Sequence, residues 1–108
     1  MEIKNAIITD FSLNFTERGI LDFWIYLDYE CGSQGFGGYA LYLPKSFKNH
    51  KLKSYAGHYI YRVLEVAGVT DLKDLKGKTI RVNGDFSKIE SIGHIIKNIW
   101  FNPKDELI

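Results

Sequence analysis

The sequence predicts a single α+β domain spanning residues 1–108, ordered β-β-β-α-β-β. Its antiparallel sheet either lies open or closes partway into a barrel of the OB type, with one main helix. Three observations carry this. Two-residue alternation of apolar and polar side chains runs through the first thirty residues. One stretch alone, from Ser54 to Ala67, switches to a helical period. The chain is also short enough for one core, at 108 residues with 45% hydrophobic content.

The first strand rests on Ile3, Asn5, Ile7, Thr9 and Phe11, which alternate with Lys4, Ala6, Ile8 and Asp10. Thr16-Glu17-Arg18-Gly19 reads as a turn. In the second strand Leu21, Phe23, Ile25, Leu27 and Tyr29 point one way, and Asp22, Trp24, Tyr26, Asp28 and Glu30 the other. That is the pattern of a half-buried antiparallel strand with a polar and aromatic outer face.

A third strand is expected from Phe36 to Leu43, halted by Pro44, with a lysine-rich connection to Lys53. Ala56, Ile60, Val63, Leu64 and Ala67 then share one helical face, and Gly68 is placed to stop it. Asp71 to Leu75 reads as one short helical turn ended by Gly77. Lys78–Val82 forms the fourth strand, Asn83-Gly84-Asp85 a tight turn and Ile89–Ile96 the fifth strand. The tail from Asn98 to Pro103 is too apolar to float and is expected to dock on the sheet.

The charge balance, fourteen basic against thirteen acidic residues, excludes a globally basic nucleic-acid binder. Its distribution is uneven: residues 1–30 carry six acids and two bases, while Cys31–Leu64 carries no acid beside Lys45, Lys48, Lys51, Lys53 and Arg62. These bases with Phe36, Tyr39, Tyr42 and Tyr55 resemble the basic, aromatic groove of single-strand binders. The net charge of +1 and the acidic second strand disfavour nucleic acid.

A lone cysteine excludes an internal disulfide and points to a cytoplasmic setting. No apolar run reaches membrane-spanning length, so no membrane partner is expected. Cys31 with His50, His58 and His94 lacks metal-ligand spacing. No nucleophile, base and orienting carboxylate stand at catalytic spacing, and no cofactor motif occurs. The chain reads as a non-enzymatic protein.

The densest feature is Gly32-Ser33-Gln34-Gly35-Phe36-Gly37-Gly38-Tyr39. A phosphate cradle would need a helix N-terminus after it and a Gly-Lys-Ser/Thr register; here a strand follows. The glycines instead mark close approach of the helix, another strand or a neighbouring chain to the backbone. Should the segment line a pocket for a small anionic nucleotide, Gln34, Phe36, Gly37, Gly38, Tyr39, His58, Arg62 and Arg81 are the candidate contacts. A protein partner would instead use Trp24, Tyr26, Asp28 and Glu30, where aromatic area and charge share one face.

GSQGFGGYAL (Gly32–Leu41), IYRVLEVAGVTDLKDLKGKTIRV (Ile60–Val82) and IESIGHIIKNIWFNP (Ile89–Pro103) together resemble a widespread family of small phage and prophage proteins. The resemblance covers nearly the whole chain and implies a setting, phage accessory genes, rather than a mechanism. In that setting it implies an antagonist of host antiviral defence. Such a protein would bind a host defence effector of the CRISPR or another system, or sequester a cyclic-nucleotide signal, inside the infected bacterium. Homo-oligomers are compatible with either role.

Overall fold

A computed structural model describes residues 2–15, 20–30, 32–39, 41, 55–85 and 88–107. Expectations for the Thr16–Gly19 turn, Cys31, His50, the Lys45–Lys53 connection and Tyr42–Pro44 lie outside them. The described chain forms strands β1 (Glu2–Phe15), β2 (Leu21–Tyr29) and β3 (Gly32–Phe36), then helix α1 (Tyr55–Ala67). A 3-10 turn (Leu72–Asp74), β4 (Thr79–Gly84), β5 (Ile89–Gly93), β6 (Trp100–Phe101) and the short helix α2 (Pro103–Glu106) follow. All six strands pair antiparallel in one sheet of order β3-β2-β1-β4-β5-β6. The fold is α+β, as the alternation and the single helical stretch predict.

The sheet is coiled but open. Its two ends approach one another: Gln34 Nε2 on β3 donates to the Asp85 carbonyl at 3.2 Å, and the rings of Phe36 and Phe101 lie 6.2 Å apart. No ladder joins them, so the barrel alternative is set aside. The reason is steric. Phe36, Tyr59 and Phe101 fill the gap between the edges, each 2% exposed or less.

One side of the sheet packs on α1. Phe23, Ile25 and Leu27 of β2, Ala6 and Ile8 of β1, Ile80 and Val82 of β4, and Ile92 of β5 form the apolar floor. In β1 a register shift between Ile8 and Asp10 changes which residues face inward. Ala6 and Ile8 are buried before it; after it Phe11, opposite Ile25, joins the same side. Ile3 and Ile7 are therefore left on the outer side, 57% and 48% exposed. Simple alternation could not anticipate this, because a bulge inserts one unpaired residue.

Helix α1 buries Ala56, Tyr59, Val63, Val66 and Ala67. This stripe is centred on Tyr59 rather than on Ile60 and Leu64, which are half-buried flanks. The Tyr59 ring meets Phe23 at 5.9 Å, Phe36 at 6.0 Å and Phe101 at 5.2 Å, distances typical of aromatic clusters. Gly68 ends the helix at φ +73, with its N–H given to the Glu65 carbonyl and that of Val69 to the Leu64 carbonyl. This paired closure is the Schellman arrangement that a glycine stop permits.

In the second half of the chain, boundaries move relative to the sequence reading. The fifth strand ends at Gly93, not Ile96, because His94 Nδ1 accepts the N–H groups of Ile96 and Lys97 at 3.1 and 3.0 Å. The chain turns there and returns Trp100–Phe101 along β5, so the apolar tail docks as a sixth strand. The β4–β5 turn lies beyond Gly84, which still pairs with Glu2 and Ile89. It is closed by the Asp85 N–H on the Lys88 carbonyl and the Lys88 N–H on Asp85 Oδ1.

Candidate protein-binding face

The glycine segment is itself a strand. Gly32–Phe36 is β3, paired to β2 from Ile25↔Phe36 to Tyr29↔Gly32, whereas Phe36–Leu43 was the expected strand. Leu41 makes a single bridge to Leu21. Of the approaches the sequence leaves open, the one seen among the described residues is from another strand: the Trp24 indole of β2 crosses the glycines. A Cβ at Gly35, Gly37 or Gly38 would stand 2.7–2.9 Å from that ring, so only glycine backbone lets it lie flat on the sheet. Trp24 Nε1 donates to Asp22 Oδ2 at 3.0 Å, and its ring stacks on Tyr26 with planes 6° apart.

The second tryptophan repeats the device. Trp100 of β6 covers Gly93 of β5, where a Cβ would come within 2.6 Å of the indole. The Arg81 guanidinium stands over the Trp100 ring, 4.9 Å from its centre, and donates to the carbonyls of His94 and Lys97. Both tryptophans lie on the outer side of the sheet. Cross-strand pairing places Trp24 opposite Ser12, and carries Trp100 through Gly93 and Arg81 to Asn5.

No described helix covers this outer side. Trp24, Tyr26 and Asp28 stand on it in a row, with Glu30 in the turn beyond, so the four residues assigned to protein binding share one surface. Tyr26 is 41% exposed, and Ile3 and Ile7 add apolar area that sequence reading did not assign to this side. A shallow groove of about 360 Å³ opens between β1 and the end of β2. It is lined by Asn5, Ala6, Ile7, Asp28, Tyr29, Glu30 and Thr79. Neither Asp28 nor Glu30 forms an ion pair among the described residues. Asp10, farther along the face, meets Lys76 at 3.3 Å. The Phe11 N–H, and then Lys76, hold its carboxyl below the ordinary value.

The residues assigned to an anion pocket are not gathered into one. Phe36 is core. Gln34 spans to Asp85, and Gly37 and Gly38 lie under Trp24. Arg81 is on the outer side, committed to Trp100 and two carbonyls. Tyr39, half-buried against Phe36 and Tyr59, has its hydroxyl pushed up by burial and by Glu90.

His58 and Arg62 do meet, on a partner that sequence spacing could not supply. Glu106 Oε1 lies 2.8 Å from His58 Nε2 and accepts Arg62 Nε at 2.9 Å. Arg62 also bonds Glu65 and the Trp100 carbonyl, and its guanidinium stands 5.6 Å over Phe101. Burial by itself would lower the Arg62 pKa, but the two carboxylates hold it raised. The positive charge is answered internally and clamps α2 to α1.

Burial likewise tends to raise Glu106, yet the hydrogen bonds from Arg62 and His58 overcome it and hold the carboxyl below its ordinary 4.5. A carboxyl depressed in the folded state stabilises the fold above the ordinary carboxylate range. That contribution is lost as pH falls through the depressed value. Glu106→Gln is therefore expected to lower the thermal midpoint at neutral pH, with the gap to the parent closing below about pH 4. Thermal melts from pH 7 to pH 3 check this; a gap that persists in acid contradicts it.

The chain matches no protein-family model and no curated protein. Among the described residues no helix is long and apolar enough to cross a membrane.

Proposed function

We propose that the chain is a non-enzymatic binding protein that docks on a basic surface of a partner protein through the outer side of its sheet. In the phage setting that the motif resemblance implies, the partner is a host defence effector that the docking inhibits. The observation that carries the reading is the groove, where exposed Ile7 sits beside Asp28 and Glu30, two carboxylates without ion-pair partners among the described residues. Apolar surface beside two carboxylates fits a lysine or arginine, which packs its stem and pairs its charged head. Trp24 and Tyr26 extend the contact as rigid aromatic area held in place by Asp22 and the glycines beneath.

The test is plating of phage on bacteria carrying individual defence systems, with and without the protein. Protection of phage against one system is expected, and Asp28→Lys with Glu30→Lys should abolish it. Affinity for the purified effector should fall by about tenfold or more, since attraction becomes repulsion at the contact. Lys104→Glu, away from this face, should leave both unchanged. Protection that survives the double charge reversal would overturn the assignment of the face; no protection against any system would overturn the anti-defence role.

A further inference from the structure

Strand β1 is longer than either neighbour. β4 covers one of its edges from Glu2 to Ile7, continued by the Ile8 N–H on the Lys78 carbonyl and the Gly77 N–H on the Ile8 carbonyl. β2 covers the opposite edge from Ile7 to Phe15. On the β4 side, Asp10–Phe15 therefore has no strand beside it among the described residues. The Phe11 N–H donates to Asp10 Oδ1 at 2.8 Å, not to β2. Backbone groups alternate between the two edges of an antiparallel strand, so Leu13 and Phe15 present theirs the same way. Exposure of this stripe rises from half-buried Phe11 to 38% at Leu13 and 75% at Phe15.

Exposed edges are ordinarily blunted by Lys or Pro, and neither occurs between Asp10 and Phe15. The segment Phe11-Ser12-Leu13-Asn14-Phe15 also has the same pattern in both directions: aromatic, small polar, leucine, small polar, aromatic. We infer that this edge pairs antiparallel with the same edge of a second copy, about a two-fold axis through Leu13. Leu13 then faces Leu13, each Phe11 faces a Phe15, and each Ser12 faces an Asn14.

An isologous contact requires a surface complementary to itself, which the palindrome supplies and an unrelated partner strand would not need. Only this register family keeps apolar opposite apolar, because side chains directly opposed across a ladder share a face. No charge lies within the five residues, so the symmetry opposes no like charges. Asp10, held by Lys76, marks the end of the pairable stretch. Pairing would cover Phe15 and join two six-stranded sheets into one.

Sedimentation equilibrium over rising concentration is expected to show a monomer–dimer equilibrium. Leu13→Lys, which sets two ammonium groups on the axis, should remove the dimer and leave the circular dichroism spectrum unchanged. A monomer at every concentration overturns the pairing, as does a folded Leu13→Lys that still dimerises. Should Leu13→Lys fail to fold, Leu13→Cys in a Cys31→Ser background decides. Rapid capture as a covalent dimer by a short bis-thiol reagent supports the pairing. Capture no greater than for Cys31→Ser alone overturns it.

Discussion

Phe101→Ala is expected to cost about 3–5 kcal/mol, the range for emptying a fully buried aromatic site. The ring is 0% exposed and meets Tyr59, Phe36 and His58, while Arg62 stands over its face. It holds β6 against the core, and through the Trp100 carbonyl and Glu106 it anchors both ends of the Arg62 clamp. The surrounding rings belong to two different elements, α1 and β3, so they cannot collapse together into the space. For a chain of this length the thermal midpoint should fall by well over about 10 °C. A melt showing a loss of only a degree or two would mean that the tail is not part of the cooperative unit.

Gly37→Ala is the second large effect, expected to destabilise by about 1–3 kcal/mol through overpacking. Its Cβ would stand 2.6 Å from the Phe23 carbonyl oxygen and 2.7 Å from Trp24. The indole could shift, but the β2 backbone could not without breaking the ladder. Gly35→Ala crowds the indole, at 2.9 Å, and meets the Tyr26 ring at an ordinary 3.7 Å. It also regains roughly 0.5–1 kcal/mol because alanine loses less backbone freedom on folding than glycine. Chemical denaturation of the two variants should therefore rank Gly37→Ala well below Gly35→Ala. The reverse ranking would show that Trp24, not the β2 backbone, sets the spacing. Fluorescence of Trp24 should change in both.

These two sites show where sequence reasoning reached and where it stopped. The alternation of β2 placed Trp24, Tyr26 and Asp28 on one outer side, with Glu30 beyond, and the structure keeps them there. The glycine cluster marked a close approach to the backbone correctly but not its source. A tryptophan crossing from the adjacent strand leaves no local pattern, since the two residues meet only once β2 and β3 are in register. Glu106 escaped for the same reason. It lies 44 residues from Arg62, and no periodicity connects them. Of the residues assigned to an anion pocket, His58 and Arg62 meet on Glu106, while Arg81 is carried to the other side of the sheet. Arg81 stacks on Trp100 on one side of the sheet, and Arg62 is neutralised on the other.

The amino-acid order by itself determined the α+β class, the antiparallel pairing, the single main helix and its glycine stop, and the acidic, aromatic side of β2. Each follows from periods of two or 3.6 residues and from local backbone preferences, which act over a few neighbours. Only the tertiary structure decided that the sheet stays open, that Ile3 and Ile7 join the outer side, and that the tail becomes a strand. It also decided that each tryptophan lies over glycine. Those outcomes depend on one bulge in β1, on three core rings between two sheet edges and on cross-strand register. All are contacts between residues far apart in sequence, fixed by packing rather than by pattern.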